Sequence, residues 1–123
     1  MGGTGPDSAT GVGVNSSGEV LVTGGFQRTT TGVAVLTANG VASDIFLLKL
    51  NSTDGAANFA AAYGDASTQT GDGISVNRFG TGSVKDTFSL AGTLNGTVTF
   101  PAPAGAVTAA GATDTLLVVG SEN

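Results

Sequence analysis

The chain has 123 residues, which fits one domain, and only 11% of them are charged, with nine acidic and four basic residues giving a net charge of −5. The basic residues Arg28, Lys49, Arg78 and Lys85 are scattered, which disfavours binding to nucleic acid or to an anionic membrane surface. The chain has no Cys and no His, which removes disulfides, the usual zinc ligands, and the Ser-His and Cys-His pairs of nucleophilic catalysis.

The composition predicts an all-β domain. Gly contributes 21 residues and apolar residues 40%, mostly Val, Ala and Leu, while turn residues are spread along the chain. The longest apolar runs, at 45–48 and 116–119, are far shorter than the about 18 residues of a membrane-spanning helix. No basic segment followed by an apolar one opens the chain, so we expect no signal peptide within it. The charge-poor surface, rich in Ser, Thr, Gly and Asn, favours a secreted or cell-surface protein.

Short β-rich runs separated by turn residues predict the strands in chain order. The first half of the chain has runs at 11–15, 19–26, 33–36, 44–50 and 58–63. The second half has runs at 74–77, 87–94, 97–100, 107–109 and 114–119. The dipeptide Asn95-Gly96 lies between two runs and predicts a hairpin there. The best helical candidate, 56–62, is weakened by Asn58 and the flanking glycines.

Three blocks of the first half recur in the second half in the same order. GVGVN at 11–15 corresponds to GISVN at 73–77, and EVLVTGGF at 19–26 corresponds to TFSLAGTL at 87–94. ASDIFLL at 42–48 then corresponds to ATDTLLV at 112–118. Small changes of spacing fall in the loops, as expected for a duplicated unit. The sequence therefore predicts one domain made of two repeats, 1–63 and 64–123.

The first repeat contains GGTGPD at 2–7, VGVN at 12–15, VLVTG at 20–24 and DIFLLKLN at 44–51. In this order, these segments resemble the bacterial β-propeller repeat often called the SBBP repeat. The second repeat departs from the pattern, with Gly64-Asp65 at the opening and Val119-Gly120 in place of the Lys-Leu pair. The resemblance implies two tandem four-stranded antiparallel propeller-like blades.

The opening GGTGPDSAT also fits a calcium-binding nonapeptide. A calcium β-roll needs successive copies of that motif, and the sequence has no second one, so we interpret the segment as a turn capped by Asp7. A propeller typically has about four to eight blades, so two repeats predict completion by oligomerisation. The second repeat also lacks a counterpart of 58–63, which a neighbouring chain could supply. A longer propeller from which this chain is an excerpt, and a β-sandwich, are the alternatives.

The carboxylates are the remaining candidates for chemistry: Asp7, Glu19, Asp44, Asp54, Asp65, Asp72, Asp86, Asp114 and Glu122. Most of them adjoin Gly, Ser or Thr at predicted turns, where Asp accepts hydrogen bonds from nearby backbone N–H groups. Asp44 and Asp114 occupy equivalent repeat positions, which suggests a shared structural role. Asp65 and Asp72 could ligate calcium through their oxygen atoms, although a solvated loop is the preferred interpretation. We therefore assign no catalytic, cofactor-binding or metal-binding residue.

Aromatic residues give little support for a sugar-binding platform, because the chain has no Trp and only one Tyr, Tyr63. Phe26, Phe46 and Phe59 fall on predicted strands and are expected in the core. The sequence thus predicts a non-catalytic extracellular structural or protein-interaction module that forms a homo-oligomer, with a further protein or glycan partner left open. The alternative function is a module that binds carbohydrate or calcium, or that hydrolyses a substrate through a pair of carboxylates.

Overall fold

The computed structural model describes residues 1–79, 85–102 and 104–121, and within them the fold is all-β. The strands are β1 (Gly2–Gly3), β2 (Asp7–Val14), β3 (Val20–Phe26), β4 (Thr30–Thr31), β5 (Asp44–Leu50), β6 (Ala57–Tyr63), β7 (Gln69–Asn77), β8 (Thr87–Leu94), β9 (Thr97–Phe100), β10 (Gly105–Thr108) and β11 (Asp114–Ser121). No helix in this part of the chain is long and apolar enough to cross a membrane.

The first sheet is a four-stranded antiparallel sheet in the order β2-β3-β5-β6. Its tight connections depend on Asn and Gly. Between β2 and β3, Asn15 Oδ1 accepts hydrogen bonds from the backbone N–H groups of Ser17 and Glu19, and Gly18 has a φ of 79°. Between β5 and β6, Asn51 Oδ1 has the same role, because it accepts from the N–H groups of Thr53 and Asp54. Local side chain to backbone hydrogen bonds therefore close this sheet.

The second sheet is three-stranded, in the order β7-β8-β11. Its register repeats that of the first sheet: Val12 pairs with Val22 and Val22 with Leu48, just as Ile74 pairs with Leu90 and Leu90 with Val118. Register shifts also recur at one repeat position, between Ala9 and Gly11 in β2 and between Gly71 and Gly73 in β7. The three matched sequence blocks thus lie on equivalent strands, and among the described residues the fourth strand expected for each repeat is present in the first sheet only.

Two further segments cover the sheets where the chain runs between their second and third strands. In the second sheet this connection is the β9-β10 hairpin, and in the first it is the loop 27–43, which holds β4 and the isolated bridge between Thr29 and Thr37. The strand predicted at 33–36 was wrong. Leu36 is held instead by hydrogen bonds, with its N–H donating to the hydroxyl of Thr30 and its carbonyl accepting from the Thr30 N–H.

The hairpin predicted at Asn95-Gly96 was also wrong, because β9 pairs with β10 and not with β8. The turn instead leads the chain from β8, in the second sheet, to β9, in the β9-β10 hairpin. Gly96 has the positive φ of 91° that this turn requires. The segment linking the two sheets holds it in place. Gln69 Nε2 donates to the Asn95 carbonyl at 2.5 Å, and the Thr97 N–H donates to Asp65 Oδ2 at 2.7 Å. Long-range hydrogen bonds therefore override the local hairpin preference.

The core forms two clusters, one on each face of the first sheet. Buried residues between the two sheets are Ile45, Leu47, Leu90, Leu94, Val98, Phe100 and Leu116. The opposite face of the first sheet packs Phe26, Phe46 and Leu48 against Leu36 and Ala38 of the loop. Phe26 and Phe46 are in the core as predicted, whereas Phe59 is 44% exposed because it lies on the outer strand β6.

Candidate functional site

The two sheets pack most closely where two glycines of β2 face two apolar residues of β7. A Cβ atom on Gly11 would lie 2.7 Å from the backbone N of Ile74, and one on Gly13 would lie 2.7 Å from Val76 Cγ2. A side chain at Gly11 would require the backbone to move, and one at Gly13 would require the Val76 side chain to shift. The hydroxyl of Thr10 donates a hydrogen bond across the same interface to the Gly71 carbonyl. Ile74 and Val76 of the second sheet therefore pack on a surface of the first sheet that is formed by Gly11 and Gly13.

The same repeat positions are open on the two outward faces of the pair of sheets. Val12 and Val14, which correspond to Ile74 and Val76, are 65% and 44% exposed on the outer face of the first sheet. Gly73, which corresponds to Gly11, has no atom within 4 Å of a Cβ placed on it. We call the face with Val12 and Val14 the front face, and the face of the second sheet with Gly73 the back face.

Equivalent leucines show the same difference in exposure. Leu47 in β5 faces the second sheet and is 6% exposed, whereas Leu117 at the corresponding position of β11 is 68% exposed. Val119, two residues further along the same face, is 64% exposed. The second sheet covers Leu47, and no described residue covers Leu117 to the same degree. The back face thus carries an apolar surface at the positions that form the sheet interface inside the chain.

An apolar groove of about 680 Å³ opens between the two sheets beside their outer strands. The wall from the first sheet includes Phe59 and Tyr63 of β6, and the wall from the second includes Phe88 and Val118. The tip of the β9-β10 hairpin forms one end of the groove, where the ring centroids of Tyr63 and Phe100 are 4.8 Å apart. Burial raises the pKa of Tyr63 above its ordinary value, which favours the neutral phenol in this wall.

Lys49 is the charged residue among the described residues that line this groove, and it has a partner. Its Nζ lies 3.6 Å from Glu19 Oε2. Glu19 also accepts hydrogen bonds from the side-chain amides of Asn15 and Asn58, and the Asn15 hydrogen bond is the main cause of its lowered pKa. The charge in the groove is therefore compensated within the protein.

Several carboxylates are used as local caps. Asp7 Oδ2 accepts from the Gly3 N–H at 2.6 Å, in the turn predicted for the opening segment. Asp54 accepts from the Ala56 N–H, and Asp114 from the Ala110 N–H. Asp44, at the repeat position of Asp114, accepts in the same way from the Asn39 N–H, so both cap the loop that leads into their strand. These contacts are structural, as the turn residues around them suggested.

Asp65 and Asp86 make long-range contacts that local sequence patterns did not predict. Asp65 accepts from the N–H groups of Ser67 and Thr97, with the Ser67 hydrogen bond the main cause of its lowered pKa. Asp86 accepts from the N–H and hydroxyl of Ser16 and from the Phe79 N–H. Asp72, the other candidate for calcium, accepts from the Thr70 hydroxyl. The described residues hold no group of three or more acidic side chains suited to a metal ion, and Glu122 lies outside them.

Among the described residues, Asp44 is the buried carboxylate with an oxygen atom that makes no hydrogen bond. It has no exposed surface, and its Oδ1 makes no hydrogen bond, while Oδ2 is bonded to the Asn39 N–H. Burial raises its pKa, and the nearby charge of Asp65 adds to the increase. A Cβ on Gly64 would lie 2.5 Å from Asp44 Cγ, so the Gly64 backbone packs directly against this carboxyl.

Searches of protein-family models, curated proteins and solved structures find no match to this chain. The resemblance to the propeller repeat therefore stays a prediction. Geometry alone identifies the candidate functional surfaces, which are the front face, the back face and the groove.

Proposed function

We propose that this chain is a non-catalytic, extracellular structural and interaction module of the propeller-repeat type, whose copies stack head to tail. The observation that carries this proposal is the difference between equivalent leucines: Leu47 is 6% exposed under the second sheet, and Leu117 is 68% exposed on the back face. A second copy that placed its front face on this back face would cover Leu117 as the second sheet covers Leu47.

The shapes of the two faces favour this arrangement. Inside the chain, Ile74 and Val76 lie against Gly11 and Gly13. On the front face, Val12 and Val14 occupy the positions of Ile74 and Val76, and on the back face the open Gly73 occupies the position of Gly11. Valine of one copy could therefore pack on glycine of the next. A head-to-tail interface gives a ring if its rotation closes. A ring of about four to eight sheets would need about two to four copies of a two-sheet chain.

A non-catalytic role is supported by the way the carboxylates are used. Asp7, Asp44, Asp65, Asp86 and Asp114 each accept hydrogen bonds from backbone N–H groups, which commits them to the structure. The extracellular assignment depends on composition alone, namely few charges and many Ser, Thr, Gly and Asn residues.

The native mass of the chain tests stacking directly. We expect size-exclusion chromatography with light scattering to give a discrete multiple of the 11.8 kDa chain. Val12→Lys should disable the front face and Leu117→Lys the back face, so each variant alone should be monomeric. Thr53→Lys, in the exposed turn between β5 and β6, adds the same charge away from both faces and should leave the mass unchanged.

Mixing the two disabled variants distinguishes a head-to-tail interface from a symmetric one. The Val12→Lys chain keeps an intact back face, and the Leu117→Lys chain keeps an intact front face. Together they should form a 1:1 pair with twice the mass of one chain and grow no further. A wild-type chain that is monomeric at every concentration would overturn the proposal, as would variants that fail to pair when mixed.

A further inference from the structure

The outer edge of β11 differs from the corresponding edge in the first sheet. In the first sheet, β5 pairs with β3 on one side and with β6 on the other. In the second sheet, β11 pairs with β8, and no second partner strand lies among the described residues. An unpaired edge presents a row of backbone N–H and C=O groups that can accept another strand.

The groove lies beside this edge and is the place where side chains of such a strand would be buried. Its β11 wall includes Val118 and Gly120, and its opposite wall includes Phe59 of the first sheet. Its volume of about 680 Å³ is within the range of sites that bury a ligand. Backbone groups for pairing and an apolar space for alternate side chains are the two requirements for recognition by strand addition.

We infer that the edge of β11 and the groove beside it form a binding site for an extended, uncharged strand of a partner polypeptide, which pairs antiparallel to β11. The absence of charge follows from the lining, because Lys49 already pairs with Glu19 and the other described lining residues are uncharged. A charged side chain entering the groove would lose water without gaining a partner.

The first sheet shows the geometry of the occupant. There, Phe46 pairs with Ala62 and Leu48 with Ala60, so the alternate residues of β6 lie on the same face as these two core residues. Leu116 and Val118 are at the corresponding positions of β11, and Val118 lines the groove. Residues of the incoming strand that pair with Leu116 and Val118 would therefore point into the groove. The best probe taken from the chain itself is a peptide with the sequence of 56–64, AANFAAAYG.

Strand binding does not depend on the stacking of copies, because the groove lies between the two sheets of one chain. The titration is therefore made with both the wild-type chain and the Leu117→Lys chain, whose back face is disabled. The AANFAAAYG peptide should bind both with 1:1 saturation. If the peptide binds but copies do not stack, this inference stands and the proposed function fails. If copies stack but the peptide does not bind, this inference alone is overturned.

Amide hydrogen exchange identifies the mode of binding. Bound peptide should slow exchange at alternate amides of β11 and leave the outer edge of β2 unchanged. A control peptide with Asp at the positions of Ala60 and Ala62 keeps the backbone but places charge in the groove, and it should bind at least about tenfold more weakly. Phe59→Ser removes an exposed groove side chain and should weaken binding, whereas Leu117→Ser, on the opposite face of β11, should not.

Four results would overturn the inference. The first is no saturable binding of the peptide to either chain. The second is equal binding of the peptide and its Asp-containing control. The third is protection at the edge of β6 or β2 in place of β11, which would mean that the peptide adds to a different sheet edge. Self-association of the chain that is lost in Phe59→Ser, without any binding of the peptide, would assign the groove to a second copy and also contradict the proposal.

Discussion

Asp86 holds Ser16 by two hydrogen bonds, one from the backbone N–H at 2.6 Å and one from the hydroxyl at 2.9 Å. Ser16 is in the turn between β2 and β3, and Asp86 directly precedes β8, so the contact connects the two sheets at one end. Asp86 also accepts from the Phe79 N–H at 2.8 Å. The Ser16 hydrogen bond is the main cause of the lowered pKa of Asp86.

Asp86→Asn should destabilise the chain at neutral pH and by less in acid. A carboxylate whose pKa is lowered in the folded state contributes stability above its unfolded pKa and loses it as the pH falls through the folded value. Urea unfolding of the wild type and Asp86→Asn between pH 7 and pH 3 should show their stability difference shrinking in acid. A difference that is constant over this range would contradict the role of the ionised carboxylate.

Asp44→Asn should have the opposite pH dependence. Burial raises the pKa of Asp44, so its contribution favours the folded state at low pH and is lost as the pH rises through the folded value. Asn keeps an oxygen for the Asn39 N–H and removes the buried charge. The variant should therefore gain stability relative to wild type as the pH rises from 3 to 7, measured by the same urea titrations. A loss of stability that grows toward neutral pH would refute this expectation.

Gly11→Val and Gly73→Val form a matched pair at equivalent repeat positions. At Gly11 the new side chain would meet the backbone of Ile74 and Gly73, so overpacking should cost about 1–3 kcal/mol or prevent folding. At Gly73 a Cβ meets no atom within 4 Å, so the single chain should keep its stability. The stability of each variant is measured by urea unfolding at low concentration. Equal destabilisation by both would show that the sheets do not pack through this glycine surface.

Leu47→Ala and Leu117→Ala separate burial within the chain from burial between chains. Leu47 is in the core between the sheets, and truncation should cost about 2–5 kcal/mol of unfolding free energy. Leu117 is mostly exposed, and truncation should change the unfolding free energy of the isolated chain by less than about 0.5 kcal/mol. Thermal unfolding over a range of protein concentrations checks both values. A large loss for Leu117→Ala that is independent of concentration would mean that this residue is buried within the single chain.

The sequence alone predicts the regular strands well, because their signals are local. The predicted bounds of β5, β8 and β9 agree with the structure, since each is a β-rich run between turn residues. The predicted start of β7 at Ile74 is too late. Its first residues, QTGD, lack apolar periodicity, and they join the strand because Gln69 is buried and its amide is fixed by Asp65 and Asn95.

The candidate functional surfaces were harder to predict from the sequence than the strands. The repeat alignment shows that Leu117 is equivalent to Leu47. The exposure of each residue depends on whether another sheet packs over it, and the local sequence does not encode this packing. Phe59 was predicted in the core because alternation marks a strand but does not tell an inner strand from an outer one. The hydrogen bonds from Ser16 to Asp86 join residues far apart in the chain, so turn chemistry could not reveal them.

Besides the fourth strand, the two connecting segments are what distinguishes the two sheets, whose other three strands share one register. Over the second sheet, the β9-β10 hairpin places Val98 and Phe100 in the core, whereas over the first sheet the loop 27–43 contributes Leu36 and Ala38 and leaves Val33, Val35 and Val41 exposed. In an array of such sheets, the strands of every sheet would form similar packing surfaces. The connecting segments would then determine which two sheets pack together. Substitutions in these connecting segments could then change which sheet packs against which, without altering the register of the strands.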